Sequence, residues 1–342
     1  MKLLVTGTDG YIGVLLAELL AKRGHHVTGL DSGFYRDGLL YNSVPPPARQ
    51  IKQDIRDITH ADLRGYDAVV HLAELSNDPL GQHNRELTFQ INHQGSVVLA
   101  TKCKEVGITR FVYTSSCSVY GVASSENVTE TSPTNPQTAY AECKVLVERD
   151  VSALADDDFS PTFLRNATAF GASPRMRFDI VLNNLAGLAW TTKEIKMISD
   201  GTPWRPLVHV LDICDAVACA LDAPRELVHN QVFNVGDNGQ NYRVREIAEI
   251  VADIFPGCRL SFGANGADNR SYRVNFDKIN SQLVGFRCQR DARRGAQELH
   301  DVFEKIQMTR ETFEFRAFTR LKQLEHLLGT AQIDESLHWR SV

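Results

Sequence analysis

Residues 2–13 read Lys2-Leu3-Leu4-Val5-Thr6-Gly7-Thr8-Asp9-Gly10-Tyr11-Ile12-Gly13, an apolar strand that runs into a turn with glycine at every third position. Leucines then recur at helical spacing, at positions 15, 16, 19 and 20. A strand, a glycine-rich turn and a helix form the context in which a dinucleotide pyrophosphate binds at a helix N-terminus. Gly7 would allow the tight turn, Gly10 would admit the pyrophosphate, and Gly13 would let the helix pack closely on the strand.

The length and composition predict a globular protein. The chain has 342 residues, of which 43% are hydrophobic and 23% are charged, and a chain of this size can bury a large core. A net charge of -5 offers no basic patch for nucleic acid, and no apolar run approaches the roughly 20 residues that span a bilayer. The cysteines include no C-x-x-C pair and the histidines lack metal-ligand spacing. We therefore expect a cytoplasmic protein without a metal, nucleic-acid or membrane partner.

Short apolar segments alternate with helical segments over the first half of the chain. Strands are predicted over 26–31, 49–53, 67–73, 109–114 and 161–166. This alternation predicts right-handed β-α-β units and an α/β fold with a Rossmann-type doubly wound parallel sheet. The strand over 26–31 ends in Asp31, where a carboxylate would bind the adenosine ribose hydroxyls and favour NAD over NADP.

Beyond about residue 170 the alternation weakens, which predicts a different organisation. We expect an NAD-binding Rossmann domain over 1–170, a smaller mixed α/β substrate-binding lobe over 171–290 that is interleaved with the first, and a helical C-terminal extension over 291–342. Two local predictions are a long helical stretch from about 85 to 106 and an exposed loop over 175–179.

A tyrosine and a lysine lie four residues apart on a helix predicted over 138–154. Tyr140 and Lys144 therefore share one helix face. A phenol with an ordinary pKa of about 10 is a poor base at neutral pH, but an ammonium group one turn away stabilises the phenolate. With a serine holding the substrate oxygen, this pair could move a hydroxyl proton while a nicotinamide accepts or returns a hydride. The simpler interpretation is a pair of surface side chains, and the glycine turn and Asp31 argue against it.

Taken together, these motifs resemble the extended short-chain dehydrogenase/reductases, in particular the group of nucleotide-sugar epimerases and dehydratases. The resemblance extends to about Leu283. Besides Asp31 and the pair Tyr140 and Lys144, it rests on residues 6–13, 54–55, 71–73, 92, 115–121, 183–185, 205 and 209–212. It implies an NAD-dependent enzyme that acts on a nucleotide-diphosphate sugar.

The resemblance also implies roles for individual residues. The implied catalytic residues are Ser116, Tyr140 and Lys144. The implied NAD-binding residues are Gly7, Gly10, Tyr11, Ile12, Gly13, Asp31, Asp54, Ile55, Leu72, Ala73, Asn92, Tyr140 and Lys144. The expected substrate contacts, which include positions where this chain departs from the family, are Glu74, Ser116, Cys117, Ser118, Thr168, Asn184, Leu185, Arg205 and Arg270. Relatives of this kind often pair through helices, so a homodimer is expected.

The departures from the family favour one reaction over others. Cys117 and Ser118 occupy the two positions at which 4,6-dehydratases carry an Asp-Glu pair, and decarboxylases keep a glutamate at the second position. Dehydration and decarboxylation are therefore disfavoured, and oxidation and reduction at one carbinol remain. Glu74 stands where a small residue is usual, and Thr168 stands where an asparagine would touch the substrate diphosphate.

The sequence thus favours an NAD-dependent epimerase that inverts C4 of a nucleotide-diphosphate sugar through a transient keto sugar. The alternative is an NAD(P)-dependent dehydrogenase or 4-ketoreductase whose cofactor exchanges at each turnover. Two remoter alternatives are an unusual dehydratase that uses the Cys117 thiol and a catalytically inactive cofactor-sensing protein. The presence of Ser116, Tyr140 and Lys144 argues against the inactive protein.

Overall fold

The computed structural model describes residues 1–42, 44–76, 84–122, 127–264 and 271–340. Its strands are β1 (Lys2–Thr6), β2 (His26–Asp31), β3 (Arg49–Lys52), β4 (Ala68–His71), β5 (Arg110–Ser116), β6 (Ser160–Asn166), β7 (Thr168–Phe170), β8 (Glu194–Lys196), β9 (Trp204–His209), β10 (Gln231–Val235), β11 (Asn241–Arg243) and β12 (Arg259–Ser261). Seven of them form one parallel sheet in the order β10-β6-β5-β4-β1-β2-β3. This sheet confirms the predicted Rossmann-type α/β fold. The strand order reverses between β1 and β4, and ligands of such sheets bind beyond the strand ends at that point.

The helices connect the strands and cover both faces of the sheet. They are α1 (Gly13–Lys22), α2 (His60–Leu63), α3 (Arg85–Thr88), α4 (Ser96–Glu105), α5 (Ala139–Ser152), α6 (Val181–Thr192), α7 (Val210–Asp222), α8 (Arg225–Val228), α9 (Val244–Ile254), α10 (Asp277–Gln282), α11 (Ala292–Lys305), α12 (Arg310–Glu314) and α13 (Arg320–Gly329). Within the described parts of the chain, no helix combines the length and the apolar character needed to cross a membrane.

The sheet is buried on both faces, as a parallel sheet normally is. Leu3 and Val5 of β1 belong to a large apolar cluster on one face, whereas Leu4 belongs to a second cluster on the other face. This alternation follows from the two-residue period of a strand, which points successive side chains to opposite sides. The sheet therefore forms a rigid layer whose carboxyl edge can carry a ligand site.

The second half of the chain adds smaller sheets and also returns to the central one. Strands β11, β9 and β7 form a three-stranded sheet, and β12 pairs with β8. Strand β10, however, pairs with β6 and extends the central sheet. One strand of the second half thus joins the central sheet, and the predicted division into an interleaved lobe with boundaries near 170 and 290 stays a prediction.

Of the two local predictions, one is confirmed and one is wrong. The chain is helical throughout residues 85–105, although the turns at Phe89–Gly95, between α3 and α4, have π-helical hydrogen bonding. The loop over 175–179 is not exposed, since Met176 and Phe178 are buried. The ring of Phe178 lies 4.9 Å from that of Phe313 and 5.6 Å from that of Phe318, measured between centroids. The C-terminal segment thus covers a loop that the sequence pattern predicts to be solvated.

Candidate active site

A cavity of about 1030 Å³ lies at the carboxyl edge of the central sheet. This volume is at the upper end of the range of ligand pockets. Its wall contains most of the residues that the sequence points to, namely Gly7, Gly10, Tyr11, Ile12, Gly13, Asp31, Asp54, Ile55, Leu72, Ala73, Glu74, Ser116, Ser118, Tyr140, Lys144, Thr168 and Arg205. The fold therefore gathers the expected cofactor and catalytic residues into one site.

The glycine turn has a backbone that larger residues would disrupt. Gly7 has a φ of +82°, and a Cβ added at Gly13 would lie 2.0 Å from the Gly7 carbonyl oxygen. The Gly10 N–H donates to that same oxygen at 3.1 Å. The turn thus holds the start of α1 in the cavity wall, where unpaired N–H groups favour an anion. These residues fit the pyrophosphate of a dinucleotide such as NAD.

Asp31 ends β2 beside this turn and is buried. Its carboxylate accepts hydrogen bonds from the Gly33 N–H at 2.7 Å and from the Asp9 N–H at 3.0 Å. Burial, with a contribution from the charge of Asp9, raises the pKa of Asp31 to about 6. The carboxylate lies in the cavity wall, where it can accept hydrogen bonds from ribose hydroxyls.

This raised pKa predicts a pH dependence of cofactor binding. As the pH falls through about 6, Asp31 of the free protein gains a proton and becomes a poor acceptor for the ribose hydroxyls. We expect the Kd for NAD to rise by up to about tenfold per pH unit below that value and to stay level above neutrality. Calorimetric titration from about pH 5 to 8 measures it. Asp31→Asn should remove the dependence, and an equally steep profile in that variant would contradict the assignment.

Tyr140 and Lys144 lie on the first turns of α5. The helix begins after Thr138, whose hydroxyl caps it by accepting a hydrogen bond from the Ala141 N–H. The Lys144 ammonium lies 5.4 Å from the centroid of the Tyr140 ring and donates to the Thr114 carbonyl oxygen at 2.5 Å. The helix therefore presents a phenol and a cation together beside the end of β5, as the i, i+4 spacing predicts.

Glu74 is tied to this pair. Its carboxylate lies 2.5 Å from the Lys144 ammonium and accepts a hydrogen bond from the Tyr113 hydroxyl, also at 2.5 Å. The side chains of Lys144 and Glu74 are only 4% and 2% exposed. Burial raises the pKa of Glu74, and although burial opposes a charge on Lys144, the nearby Glu74 carboxylate raises the pKa of the lysine. The sequence predicts Glu74 as a substrate contact, and the structure adds its ion pair with Lys144.

The cavity wall beyond β5 and β6 carries unsatisfied polar atoms. The Ser116 Oγ accepts a hydrogen bond from the Ser118 N–H at 3.1 Å. The Ser118 Oγ and the Asn166 Oδ1 are buried and have no hydrogen-bond partner among the described residues. Because buried polar atoms are nearly always paired, these two atoms favour a polar ligand in the cavity. Asn166 was not predicted from the sequence, which pointed to Thr168 two residues later.

Some predicted site residues lie outside the cavity wall. The Asn92 side chain holds the backbone of Leu75, accepting from its N–H at 2.8 Å and donating to its carbonyl oxygen at 3.0 Å. The Asn184 amide donates to the Phe178 carbonyl oxygen, and Leu185 is part of the apolar core. Their ligand contacts therefore stay predictions. Arg270 lies outside the described residues.

Cys117 is also directed away from the cavity. Its thiol is buried and lies 3.1 Å from the Arg165 carbonyl oxygen, to which it donates. Burial raises the pKa of this thiol, so the thiolate that acid–base or nucleophilic chemistry needs is disfavoured. This geometry argues against a dehydratase that uses Cys117.

Two arginines that were not predicted line the same cavity. Arg177 pairs with Asp179 through two contacts of 2.9 Å and 3.2 Å. Arg320, the first residue of α13, is only 3% exposed. It lies beyond the part of the chain that resembles the family, so no motif points to it.

Comparison with known proteins gives a family match. The profile of the NAD dependent epimerase/dehydratase family matches residues 3–236. The chain is 29% identical to the UDP-glucose 4-epimerase of Corynebacterium glutamicum over 269 residues, which cover 74% of this chain and 80% of that protein. The region that the family profile matches includes both the glycine turn and the pair Tyr140 and Lys144.

Solved structures of an epimerase and a dehydratase have folds similar to that of this chain. The UDP-glucose 4-epimerase of Stenotrophomonas maltophila, with bound NAD and formylated UDP-arabinopyranose, is 26% identical and superposes with a TM-score of 0.77 over 90% of this chain and 99% of its own. The dTDP-glucose 4,6-dehydratase of Streptomyces venezuelae, with NAD bound, is 25% identical with a TM-score of 0.77 over 89% of this chain and 97% of its own. Different reactions thus occur on closely similar folds.

Proposed function

Because the chain belongs to the NAD dependent epimerase/dehydratase family, we propose that it is a 4-epimerase of a nucleotide-diphosphate sugar that retains its NAD through turnover. When bound, NAD supplies an acceptor that takes a hydride from the sugar and gives it back. The glycine turn and Asp31 would hold this cofactor. The 4-epimerase assignment draws support from the similar UDP-glucose 4-epimerases and from the catalytic geometry.

Tyr140 would move the proton in this reaction. Its phenolate oxygen takes the proton of the sugar 4-hydroxyl during oxidation and returns it after the keto sugar has turned over. Lys144 keeps a positive charge beside the phenol, and Ser116 positions the sugar oxygen by a hydrogen bond. The cavity must also let the keto sugar turn over, because the hydride returns to the opposite face of the same carbon.

One observation carries the choice of epimerisation over elimination. Dehydration requires an acid and a base near the reacting carbons, but Cys117 and Ser118 provide no carboxylate next to Ser116. The carboxylate that does lie at this end of the cavity, Glu74, is engaged by Lys144 and Tyr113. The arrangement therefore supports proton and hydride transfer at one carbinol.

The test combines a spectrum with product analysis. The purified protein is examined for bound NAD, incubated with UDP-glucose or UDP-galactose, and the products are separated by chromatography. Copurified NAD, interconversion of the two sugars and no accumulation of NADH are expected. A stoichiometric change of absorbance near 340 nm together with a keto product would instead identify a dehydrogenase or ketoreductase and overturn the proposal.

A further inference from the structure

We propose that Arg320 binds the diphosphate bridge of the dinucleotide, so that the C-terminal segment 310–340 contributes a side chain to the cofactor site. This inference rests on NAD as the cofactor and is independent of the identity of the sugar. It extends the cofactor site beyond residues 3–236, the region that the family profile matches.

The Arg320 side chain is buried without a hydrogen-bonded anion. Its guanidinium lies 4.0 Å from the centroid of the Tyr35 ring, and its residue lines the cavity while being only 3% exposed. Among the described residues, no carboxylate or carbonyl oxygen accepts a hydrogen bond from this guanidinium. A buried cation without such an acceptor is unfavourable unless a ligand supplies one.

The nearby carboxylates are already engaged. Asp179 pairs with the Arg177 guanidinium and also accepts the backbone N–H of Arg320 at 3.2 Å. Asp31 accepts two backbone hydrogen bonds. Burial, followed by the neighbouring charge of Arg177, lowers the pKa of Arg320 to about 10, so this side chain is still cationic at neutral pH. Asp179 and Asp31 thus act on the Arg320 guanidinium only through their charge, and among the described residues neither accepts a hydrogen bond from it.

Hydrogen bonds connect the loop that carries Arg177 and Asp179 to the glycine turn. The Ser173 hydroxyl donates to the Tyr11 carbonyl oxygen at 2.8 Å. The Asn183 amide donates both to the Tyr11 hydroxyl at 3.2 Å and to the Arg177 carbonyl oxygen at 3.1 Å. The loop that carries Arg177 is therefore fixed against the turn at which a dinucleotide diphosphate binds. Asp179 of this loop also accepts the Arg320 backbone N–H, so Arg320 is held on the same side of the cavity. This connection favours the diphosphate as the anion for Arg320.

A phosphate on the adenosine ribose is a poorer candidate. Asp31, which interacts electrostatically with Arg320, would repel a 2′-phosphate when ionised. The guanidinium of Arg36, on the loop that follows Asp31, lies 2.6 Å from the Asp9 carboxylate and is already paired. Both candidate anions are phosphate groups, and the experiment below distinguishes the diphosphate bridge from a 2′-phosphate.

The segment that carries Arg320 is anchored to the loop after β2. The Gln323 amide donates to the Phe34 carbonyl oxygen at 2.9 Å, and the Trp339 indole N–H donates to the Ser32 carbonyl oxygen at 2.6 Å. Leu324 and Leu327 pack in one apolar cluster with Phe34. These contacts hold the guanidinium in place before the ligand arrives, which lowers the entropic cost of binding.

Arg320→Met tests the proposal, because methionine keeps an unbranched apolar stem and removes the charge. We expect the Kd for ADP-ribose, measured by calorimetry, to rise about 10- to 100-fold, and the Kd for UDP to stay unchanged. Where NAD copurifies, its content per chain after gel filtration should fall in the same variant. Arg316→Met is the matched control, since Arg316 lies in the same segment, outside the cavity wall, and pairs with Asp37.

Other outcomes would overturn the assignment. Weaker binding of UDP with unchanged ADP-ribose would place Arg320 at the substrate diphosphate, and weaker binding of NADP alone would place it at a 2′-phosphate. A lower melting temperature of the nucleotide-free variant with unchanged ADP-ribose binding would show a purely structural role. If Arg320→Met does not fold, Arg320→Lys keeps a charge but loses the planar fork, and unchanged ADP-ribose affinity in that variant would equally overturn the proposal. These readouts do not depend on epimerase activity.

Discussion

Tyr140→Phe is expected to lower kcat for epimerisation by roughly 10²- to 10⁴-fold, the usual contribution of a positioned acid–base group. The variant keeps the aromatic ring beside the Lys144 ammonium and loses only the hydroxyl that moves the proton. The cavity wall that would bind NAD is otherwise intact, so the NAD content per chain should stay the same. Initial rates with UDP-glucose and the absorbance of bound cofactor measure both effects.

Tyr242→Phe is the matched control for this experiment. Tyr242 lies on β11, outside the residues that line the cavity, and the loss of its hydroxyl should leave kcat unchanged. Full activity of Tyr140→Phe would show that another group moves the proton. Loss of NAD together with activity would show instead that the tyrosine hydroxyl mainly holds the cofactor.

Glu148→Ala is expected to lower the free energy of unfolding by about 3–5 kcal/mol. Glu148 on α5 and Arg165 on β6 form a buried ion pair, with side chains only 8% and 7% exposed and a shortest contact of 2.6 Å. Glu148 also accepts a hydrogen bond from the Ser115 hydroxyl at 2.5 Å. Removal of the carboxylate leaves the Arg165 charge buried and uncompensated, and this loss is the source of the large effect.

Glu142 provides the comparison on the same helix. It pairs with Arg85, but the two side chains are 32% and 59% exposed, and solvent screens their attraction. Glu142→Ala should therefore change the free energy of unfolding by less than about 1 kcal/mol. Urea denaturation of both variants measures the difference. Equal, small effects would mean that the Glu148 pair contributes no more than an exposed one.

The central sheet was predictable because local pattern and global fold agree there. Nearly all-apolar segments such as Ala68–His71 are buried, and the alternation of such segments with helices predicts parallel strands. Burial beyond the sheet was not predictable in the same way. Phe178 lies in a polar-looking stretch, and only the tertiary contact with Phe313 and Phe318 buries it.

In the candidate site, the sequence predicts which residues lie near the cavity but not which way every side chain points. Gly7, Asp31, Tyr140 and Lys144 line the cavity because each follows a strand end or lies on the helix that faces it. Motif position does not determine which way a side chain turns, however. Asn184 lies in a matching motif but is held by the Phe178 carbonyl oxygen instead of the cavity.

Arg320 illustrates why part of the site had no sequence signal. It is distant in sequence from every other residue of the cavity, and an arginine at the start of a helix is ordinary on its own. Its importance appears only when α13 is packed against the loop after β2. Ion pairs such as Glu74 with Lys144 are equally invisible before folding, because their partners come from different elements.

The anchoring of segment 310–340 has a consequence for the biosynthesis of the protein. A ribosome completes the glycine turn and all seven strands of the central sheet before it makes Arg320 and Trp339. A nascent chain can therefore contain every strand of the central sheet while Arg320, which lines the cavity, has not yet been made. If Arg320 binds the cofactor as proposed, firm retention of NAD should begin only after segment 310–340 has folded against the loop after β2, which would make cofactor loading a late step in folding.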